Sequence, residues 1–406
     1  MIKKDKPVDA VFMGLGYIGL PTAAFAASKG LNILGVDVNP TVVETVNRGE
    51  IHIIEPYLAN LVKSVVVSGH LQAALKPQTA GAYFIVVPTP FKQNHRADIS
   101  YVEAATKTLI PHLKTNDLFV IESTSPVMTT EKMAGLIWKE RPELKDKIYI
   151  AYCPERVLPG NVIYELEHND RVIGGINPES TQKAIEFYAK FVKGTLHPTN
   201  ARTAEMCKLT ENSSRDVQIA FANELSMICE KAEINVWELI ALANRHPRVN
   251  ILQPGSGVGG HCIAVDPWFI VSDYPEQAQI IKRSRETNDY KADWCANRII
   301  ETCRRFESET GQEPVVACMG LAFKPDIDDL RESPAKYVTS RVLSESNAKV
   351  LVVEPNIRRN DTWNLVNYRE AYQKANIIAW LVGHKPFYEI QQDKSKIELD
   401  FCGIRK

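Results

Sequence analysis

Apolar residues in this chain fall into short runs separated by amphipathic stretches. Val8–Met13 is apolar and enters a glycine-rich turn, and the pattern over 18–29 predicts a helix. Residues 32–36 predict a second strand, ending at Asp37. Further buried strands are expected at 83–87, 118–121 and 148–151, with helices at 101–113 and 130–139 between them. Alternation of this kind predicts a doubly wound parallel sheet of Rossmann type. The middle of the chain changes character. Residues 203–232 contain neither Gly nor Pro and predict one long helix, and 275–309 predict another. Between them 254–261 is rich in glycine. The last part alternates again, with strands expected at 315–319, 349–353 and 376–382 and a helix at 334–345. The fold class is α/β, in three domains: 1–200, a helical connector over 201–310, and a smaller Rossmann-like domain over 311–406.

Composition narrows the function. Of 406 residues 45% are hydrophobic and 24% charged, as in a soluble globular protein with more than one core. The formal net charge of -1 creates no global field for nucleic acid or an anionic membrane, so an anionic ligand needs local Lys and Arg. The eight cysteines are scattered and form no C-x-x-C pair, which reads as reduced thiols in the cytoplasm. Lys3, Lys4 and Lys6 before an apolar run ending at Ala26, Ala27 and Ser28 mimic a secretory signal. Gly14, Gly16, Gly19 and Pro21 interrupt that run and suit a turn better. No other segment is long and apolar enough to span a bilayer, and the nine histidines show no metal-ligand spacing.

Six segments carry candidate chemistry. Gly14-Leu15-Gly16-Tyr17-Ile18-Gly19 follows a strand and opens a helix, with Asp37 at the end of the next strand. That context marks a dinucleotide site: the glycines admit a pyrophosphate at the helix start, and a carboxylate at Asp37 favours NAD over NADP. The plain alternative is a tight turn with no ligand. Thr89, in Val87-Pro88-Thr89-Pro90, and Ser123-Thr124 follow strands at the end where ligands bind, or are ordinary loop residues. Cys153-Pro154-Glu155-Arg156 offers Glu155 as a general base or water-orienting group, against a surface glutamate. Lys208 and Asn212 are four apart on a helix and could stabilise an oxyanion, against two solvated side chains. Gly255-Ser256-Gly257-Val258-Gly259-Gly260-His261-Cys262 lets the backbone pass close to a bulky ligand and presents Cys262 as a nucleophile, against a flexible linker beside an inert thiol. His261 beside it is a loop residue, and Asp266 lies one turn further on. Lys324 and Arg331 are cations after the first strand of the last domain, suited to phosphates or simply part of a charged loop.

Together these segments resemble the UDP-glucose/GDP-mannose dehydrogenase family over essentially the whole chain. The motifs are Gly14 to Pro21, the Pro154 to Arg156 triplet, Cys207 to Asn212, Gly257 to Cys262 and Phe323 to Pro334. Within it, residues 47–52, 244–252 and 262–268 look closest to the members that act on UDP-N-acetyl-D-mannosamine.

The resemblance implies a four-electron oxidation of the sugar's C6 hydroxymethyl to a carboxylate, with two NAD per sugar. It also implies a cytoplasmic enzyme of surface-polysaccharide synthesis, such as that of enterobacterial common antigen, and a homodimer through the long central helix. The domains become NAD-binding, catalytic and dimerising, and UDP-sugar-binding. By the same resemblance Cys262 is the nucleophile, Lys208, Asn212 and Asp266 assist it, and Glu155 and Thr124 complete the catalytic set. Gly14, Gly16, Tyr17, Ile18, Gly19, Asp37, Thr89, Thr124 and Arg331 are matched to cofactor contacts. Glu155, Arg156, Val157, Leu158, Lys208, Asn212, His246, Arg248, Gly259 and Lys324 are matched to substrate contacts, Lys324 at the phosphate. Two positions depart from the family. Ser256 stands where relatives often carry Pro, which is expected to loosen the loop, and a cross-subunit arginine is replaced by His246, with Arg248 as stand-in. UDP-N-acetylglucosamine or UDP-glucose as substrate, a two-electron hydroxy-acid dehydrogenase, and a non-enzymatic NAD sensor are the competing readings.

Overall fold

The computed structural model describes residues 7–53, 55–92, 95–157, 160–260, 262–358 and 361–406. The chain divides into two compact units, Met1–Thr210 and Glu211–Lys406.

The first unit is built on strands β1 (Val8–Met13), β2 (Ile33–Val36), β3 (Leu71–Ala74), β4 (Ala80–Ile85), β5 (Leu118–Ile121), β6 (Tyr149–Tyr152), β7 (Arg171–Gly175) and β8 (Leu196–Asn200). They form one sheet in the order β3-β2-β1-β4-β5-β6-β7-β8. The order reverses between β1 and β4, the switch point at which doubly wound sheets bind ligands. From β3 to β6 the pairing is parallel. Beyond this doubly wound parallel part, β7 runs antiparallel to β6, with β8 parallel to β7. These outer strands, with β3, carry no apolar run. β8 is Leu-His-Pro-Thr-Asn, half-buried at best, and its Pro198 is tolerated because the strand lies at the edge.

Register gathers the candidate residues. Met13 pairs with Val36 and Ile85, Ile85 with Ile121, and Ile121 with Tyr152. The segments beginning at Gly14, Asp37, Val86, Glu122 and Cys153 therefore leave the sheet at the carboxyl ends of its strands. The core beneath is dry: Phe12 and Phe84 are fully buried and stack with centroids 4.5 Å apart. Burial of such a ring stabilises the fold by about 1.5–3 kcal/mol. The apolar run that mimicked a secretory signal supplies β1 and the helix Gly19–Ser28.

A helix of 31 residues, Ala201–Lys231, crosses from the first unit into the second and is about 46 Å long at 1.5 Å per residue. The second long helix, Gln279–Thr310, begins later than the pattern predicts and stops at Gly311, whose φ of 66° supplies the left-handed cap. Two short helices, Val236–Ala243 and Asp266–Asp273, lie between them in sequence. The second unit closes with β9 (Val315–Met319), β10 (Lys349–Val353), β11 (Ile377–Trp380) and β12 (Ile397–Asp400), all parallel, in the order β10-β9-β11-β12. No described helix is long and apolar enough to cross a membrane.

Candidate functional site

The glycines of the first turn do three different jobs. Gly14 has φ 103°, and a Cβ there would lie 2.6 Å from the Val86 carbonyl oxygen. A Cβ on Gly19 would lie 1.9 Å from the Gly14 oxygen. Both are needed for close packing of the turn on the sheet. At Gly16 an added Cβ meets nothing within 4 Å, so the turn is open on the side where a pyrophosphate would lie. Tyr17 is exposed and Ile18 caps the helix. Asp37 takes the Leu15 N–H on one carboxylate oxygen at 3.0 Å and the Asn39 N–H on the other at 2.9 Å. The carboxylate is half-buried and keeps lone pairs for ribose hydroxyls. These residues fit a dinucleotide.

The structure brings Thr89 and Thr124 together, the Thr89 hydroxyl donating to the Thr124 carbonyl at 2.7 Å. Buried Glu205 fixes the next turn, accepting from the Met128 N–H, the Thr130 N–H and the Thr130 hydroxyl at 2.6–2.7 Å. No motif announced Glu205. Its signal is a carboxylate on the apolar face of a long helix.

Glu155 is buried and held on both oxygens. Oε2 pairs with Arg171 at 3.0 Å, and Oε1 accepts the N–H groups of Arg156 and Val157 at 2.7 and 3.1 Å. It is thus a buried, held carboxyl group and not a surface glutamate. Glu55 anchors the start of the next helix, taking the Gly160 and Val162 N–H groups at 2.9 Å each. Leu158 lies outside the described residues.

Behind Glu155 sits a polar cluster that the sequence did not reveal: Arg171, Cys153, Tyr188 and Glu122, all buried. Tyr188 donates to Glu122, and the Arg171 guanidinium lies 5.2 Å from the Tyr188 ring centroid. Burial raises the Glu122 carboxyl to about 7, opposed by Arg171 and reinforced by Glu155. Folded protein therefore retains a proton that the unfolded chain releases. The associated stability is complete below the unfolded value of 4.5 and is lost as pH rises through about 7. Glu122→Gln mimics the protonated form. The variant should match the parent at pH 4.5 and exceed it by up to ~3 kcal/mol at pH 8, measured from urea midpoints at the two pH values. An equal offset at both would show that Glu122 is ionised throughout.

In the second unit the glycine loop is crowded by the chain itself. A Cβ on Gly259 would lie 2.5 Å from the Glu332 oxygen and 2.7 Å from Phe323 Cβ, and one on Gly257 2.9 Å from Pro334. Gly260, at φ 80°, donates to the Arg331 carbonyl at 3.2 Å. The glycines let the loop pack on residues 323–334, a different reason from the ligand approach expected. Ser256 does not loosen the loop. It is buried, and its hydroxyl donates to the Leu381 carbonyl at 3.2 Å.

The loop delivers Cys262 to the surface. Of the eight cysteines it is the one that is exposed. Burial pushes the Cys153, Cys295 and Cys318 thiols up to about 12 and Cys303 to about 11, so these are inert at neutral pH. The Cys262 carbonyl accepts the Val265 and Asp266 N–H groups at 3.0 and 2.8 Å, closing a turn that starts the helix Asp266–Asp273. Buried Asp266 accepts the Asn212 amide at 2.6 Å. The structure thus brings Cys262, Asp266 and Asn212 together. Lys208 lies in the first unit, half-buried, one turn before Asn212 on the same helix. His261 is outside the described residues.

A buried ladder holds the loop's start. Arg285 pairs with Asp216 at 2.7 Å, Asn288 donates to Asp216 at 2.8 Å, Asn223 donates to Asn288 at 2.9 Å, and Asn223 accepts the Gly255 N–H at 2.9 Å.

The remaining candidates are exposed. His246 and Arg248 project from a turn closed by Asn244, whose side chain bonds both N–H and C=O of Ile251 at 2.7 and 3.0 Å. Lys324 is exposed, and Arg331 forms a bidentate pair with Asp329 at 2.6–3.0 Å.

Residues 9–192 match the NAD binding domain of the UDP-glucose/GDP-mannose dehydrogenase family, 202–290 its central domain and 317–402 its UDP binding domain. The chain is 53% identical over 400 residues, 95% of each chain, to a UDP-N-acetyl-D-mannosamine dehydrogenase of Yersinia pestis. It is 49% identical over 419 residues, 98% of each, to an NDP-N-acetyl-D-galactosaminuronic acid dehydrogenase of Ralstonia nicotianae. A solved UDP-D-ManNAc dehydrogenase from Pyrococcus horikoshii superposes with a TM-score of 0.88 at 35% identity, covering 98% of this chain and 96% of that one. The chain belongs to the UDP-glucose/GDP-mannose dehydrogenase family.

Proposed function

We propose that this protein oxidises the C6 hydroxymethyl of UDP-N-acetyl-D-mannosamine to the uronate, in two two-electron steps, with Cys262 as covalent nucleophile. The supporting observation is an exposed thiol whose turn leads directly into Asp266, itself bonded to Asn212. Oxidation of an alcohol to an aldehyde alone needs no thiol.

The Gly14–Gly19 turn and Asp37 would hold NAD, with Tyr17, Ile18, Thr89, Thr124 and Arg331 assigned as further contacts, and the bound cofactor would supply the hydride acceptor for each oxidation at C6. The chain's own residues do the rest. Cys262 sulfur bonds to the aldehyde carbon, and the carbonyl oxygen becomes a thiohemiacetal oxyanion. Lys208 supplies a cation to that oxygen, and Asn212, with one amide N–H committed to Asp266, offers the other. Loss of the second hydride leaves a thioester. Water then breaks the C–S bond and releases the carboxylate and the thiol, the step to which the resemblance assigns Glu155 and Asp266. The resemblance assigns Arg156, Val157, Leu158 and Gly259 to the sugar and Lys324 to the diphosphate.

The Yersinia and Ralstonia relatives act on N-acetylated sugars by their names, which favours an N-acetylhexosamine over glucose. The Ralstonia name favours a second reading, an N-acetylgalactosamine nucleotide. We assign three domains, 1–200, 201–310 and 311–406, and a homodimer. On the helix Ala201–Lys231, Phe221 and Ile228 are seven residues apart and each about half exposed, a stripe suited to a second copy. His246 and Arg248 would then reach the partner's substrate. The product is a precursor for surface polysaccharide.

The test is a panel of UDP-hexoses and UDP-N-acetylhexosamines at limiting concentration with NADH counted. Two NADH per molecule of UDP-N-acetyl-D-mannosamine is expected. One NADH per molecule would leave only a two-electron dehydrogenase.

A further inference from the structure

The two α/β parts of the chain repeat one backbone device and wire it differently. After β1, Gly14 (φ 103°) donates to the Val36 carbonyl at 2.7 Å, and the next N–H, of Leu15, goes to Asp37 at 3.0 Å. After β9, Gly320 (φ 98°) donates to the Val353 carbonyl at 2.9 Å, and the next two N–H groups, of Leu321 and Ala322, go to Glu354 Oε2 at 2.8 and 2.9 Å. In the first copy the acid is half-buried and the position of Gly16 is open. In the second, the matching Ala322 is buried and Glu354 is 4% exposed. The acid that could face a ligand has turned inward.

Its partner is His384, completely buried, with Nε2 3.1 Å from Glu354 Oε2. The other ring nitrogen, Nδ1, accepts the Asp326 N–H at 3.0 Å and faces the Asn356 side-chain amide at the same distance. A backbone N–H only donates, so Nδ1 is the acceptor and Nε2 carries the proton toward Glu354. Asp326 has φ 61°, a left-handed conformation costing a non-glycine residue about 1–2 kcal/mol unless its surroundings hold it. His384 holds its N–H, and the Lys385 N–H bonds its carboxylate at 2.9 Å. One imidazole therefore pins the 321–326 loop at both ends, through Glu354 at the start and directly at Asp326. Lys324 projects from the middle of that span and is exposed.

We propose that His384 is the positioning residue for Lys324: it fixes the loop from which that cation meets the diphosphate of the nucleotide sugar. The proposal rests on the reading of Lys324 as the diphosphate contact.

The experiment measures UDP binding by titration calorimetry, and KM for the sugar nucleotide and for NAD, in Lys324→Ala, His384→Ala and His384→Asn. Asn restores an acceptor toward Asp326 but loses the donor to Glu354. His384→Ala is expected to weaken UDP binding and raise the sugar-nucleotide KM about tenfold, with the NAD KM unchanged and Asn recovering part of the loss. Lys324→Ala is expected to weaken UDP at least as much. UDP affinity within twofold of wild type in both His384 variants, with Lys324→Ala impaired, overturns the proposal and leaves the Lys324 reading intact. Unchanged affinity in Lys324→Ala overturns that reading and the proposal with it. A parallel rise of both KM values shows a merely structural histidine. Should His384→Ala not fold, the Asn variant decides the same question.

Discussion

Cys262→Ala is expected to abolish uronate formation, by on the order of 10³-fold or more, while leaving the affinity for NAD and UDP within about twofold. No sulfur means no thiohemiacetal, and without that adduct the second hydride has no enzyme-bound tetrahedral carbon to leave. Cys262→Ser gives a different outcome. A serine can form the adduct but leaves an oxygen ester, a poorer acyl donor to water, so a sugar-modified protein should accumulate and be visible by intact mass. Acid formation at the wild-type rate in Cys262→Ala would remove the covalent step. The exposure of Cys262 makes the variant interpretable, since the change opens no cavity.

The largest stability effect is expected at Asp216. The residue is completely buried, with Arg285 at 2.7 Å and 2% exposed. Asp216→Ala strands a buried guanidinium and one amide hydrogen of Asn288, at a cost of about 3–5 kcal/mol in urea unfolding. Asp289 still contacts Arg285 from the surface. Asp216→Asn keeps the shape, and its loss should be smaller. The consequence extends past stability, because the same ladder ends on the Gly255 N–H and so supports the loop that carries Cys262. A loss below 1 kcal/mol in the alanine variant would show that water enters and replaces the carboxylate.

Much of this was legible from pattern alone. The strand at 118–121 and the three elements 315–319, 334–345 and 349–353 fall where periodicity puts them, because each is buried and apolar enough to announce its period. The strands that escaped notice are those with little apolar content. β3 is Leu-Gln-Ala-Ala, and β12 is half-exposed along its length. At the site, glycine turns and the Cys262 segment stood out because their chemistry is local in sequence. Arg171 pairs with Glu155 across 16 positions, Asn212 with Asp266 across 54, Arg285 with Asp216 across 69 and Glu354 with His384 across 30. Nothing in a linear pattern marks such partners except a polar residue where an apolar one is due. The glycine loop shows a subtler gap: its glycines were conspicuous, but that Phe323, Glu332 and Pro334 crowd them is a fact of packing.

The edge of the large sheet has one more consequence. A sheet of eight strands that does not close leaves two rows of backbone groups at which a second chain could add a strand. One edge is β3, four residues long. The other is β8, whose Pro198 offers no N–H to a newcomer and whose His197 and Pro198 are exposed. A proline in the middle of the outermost strand makes that edge a poor template for an added strand.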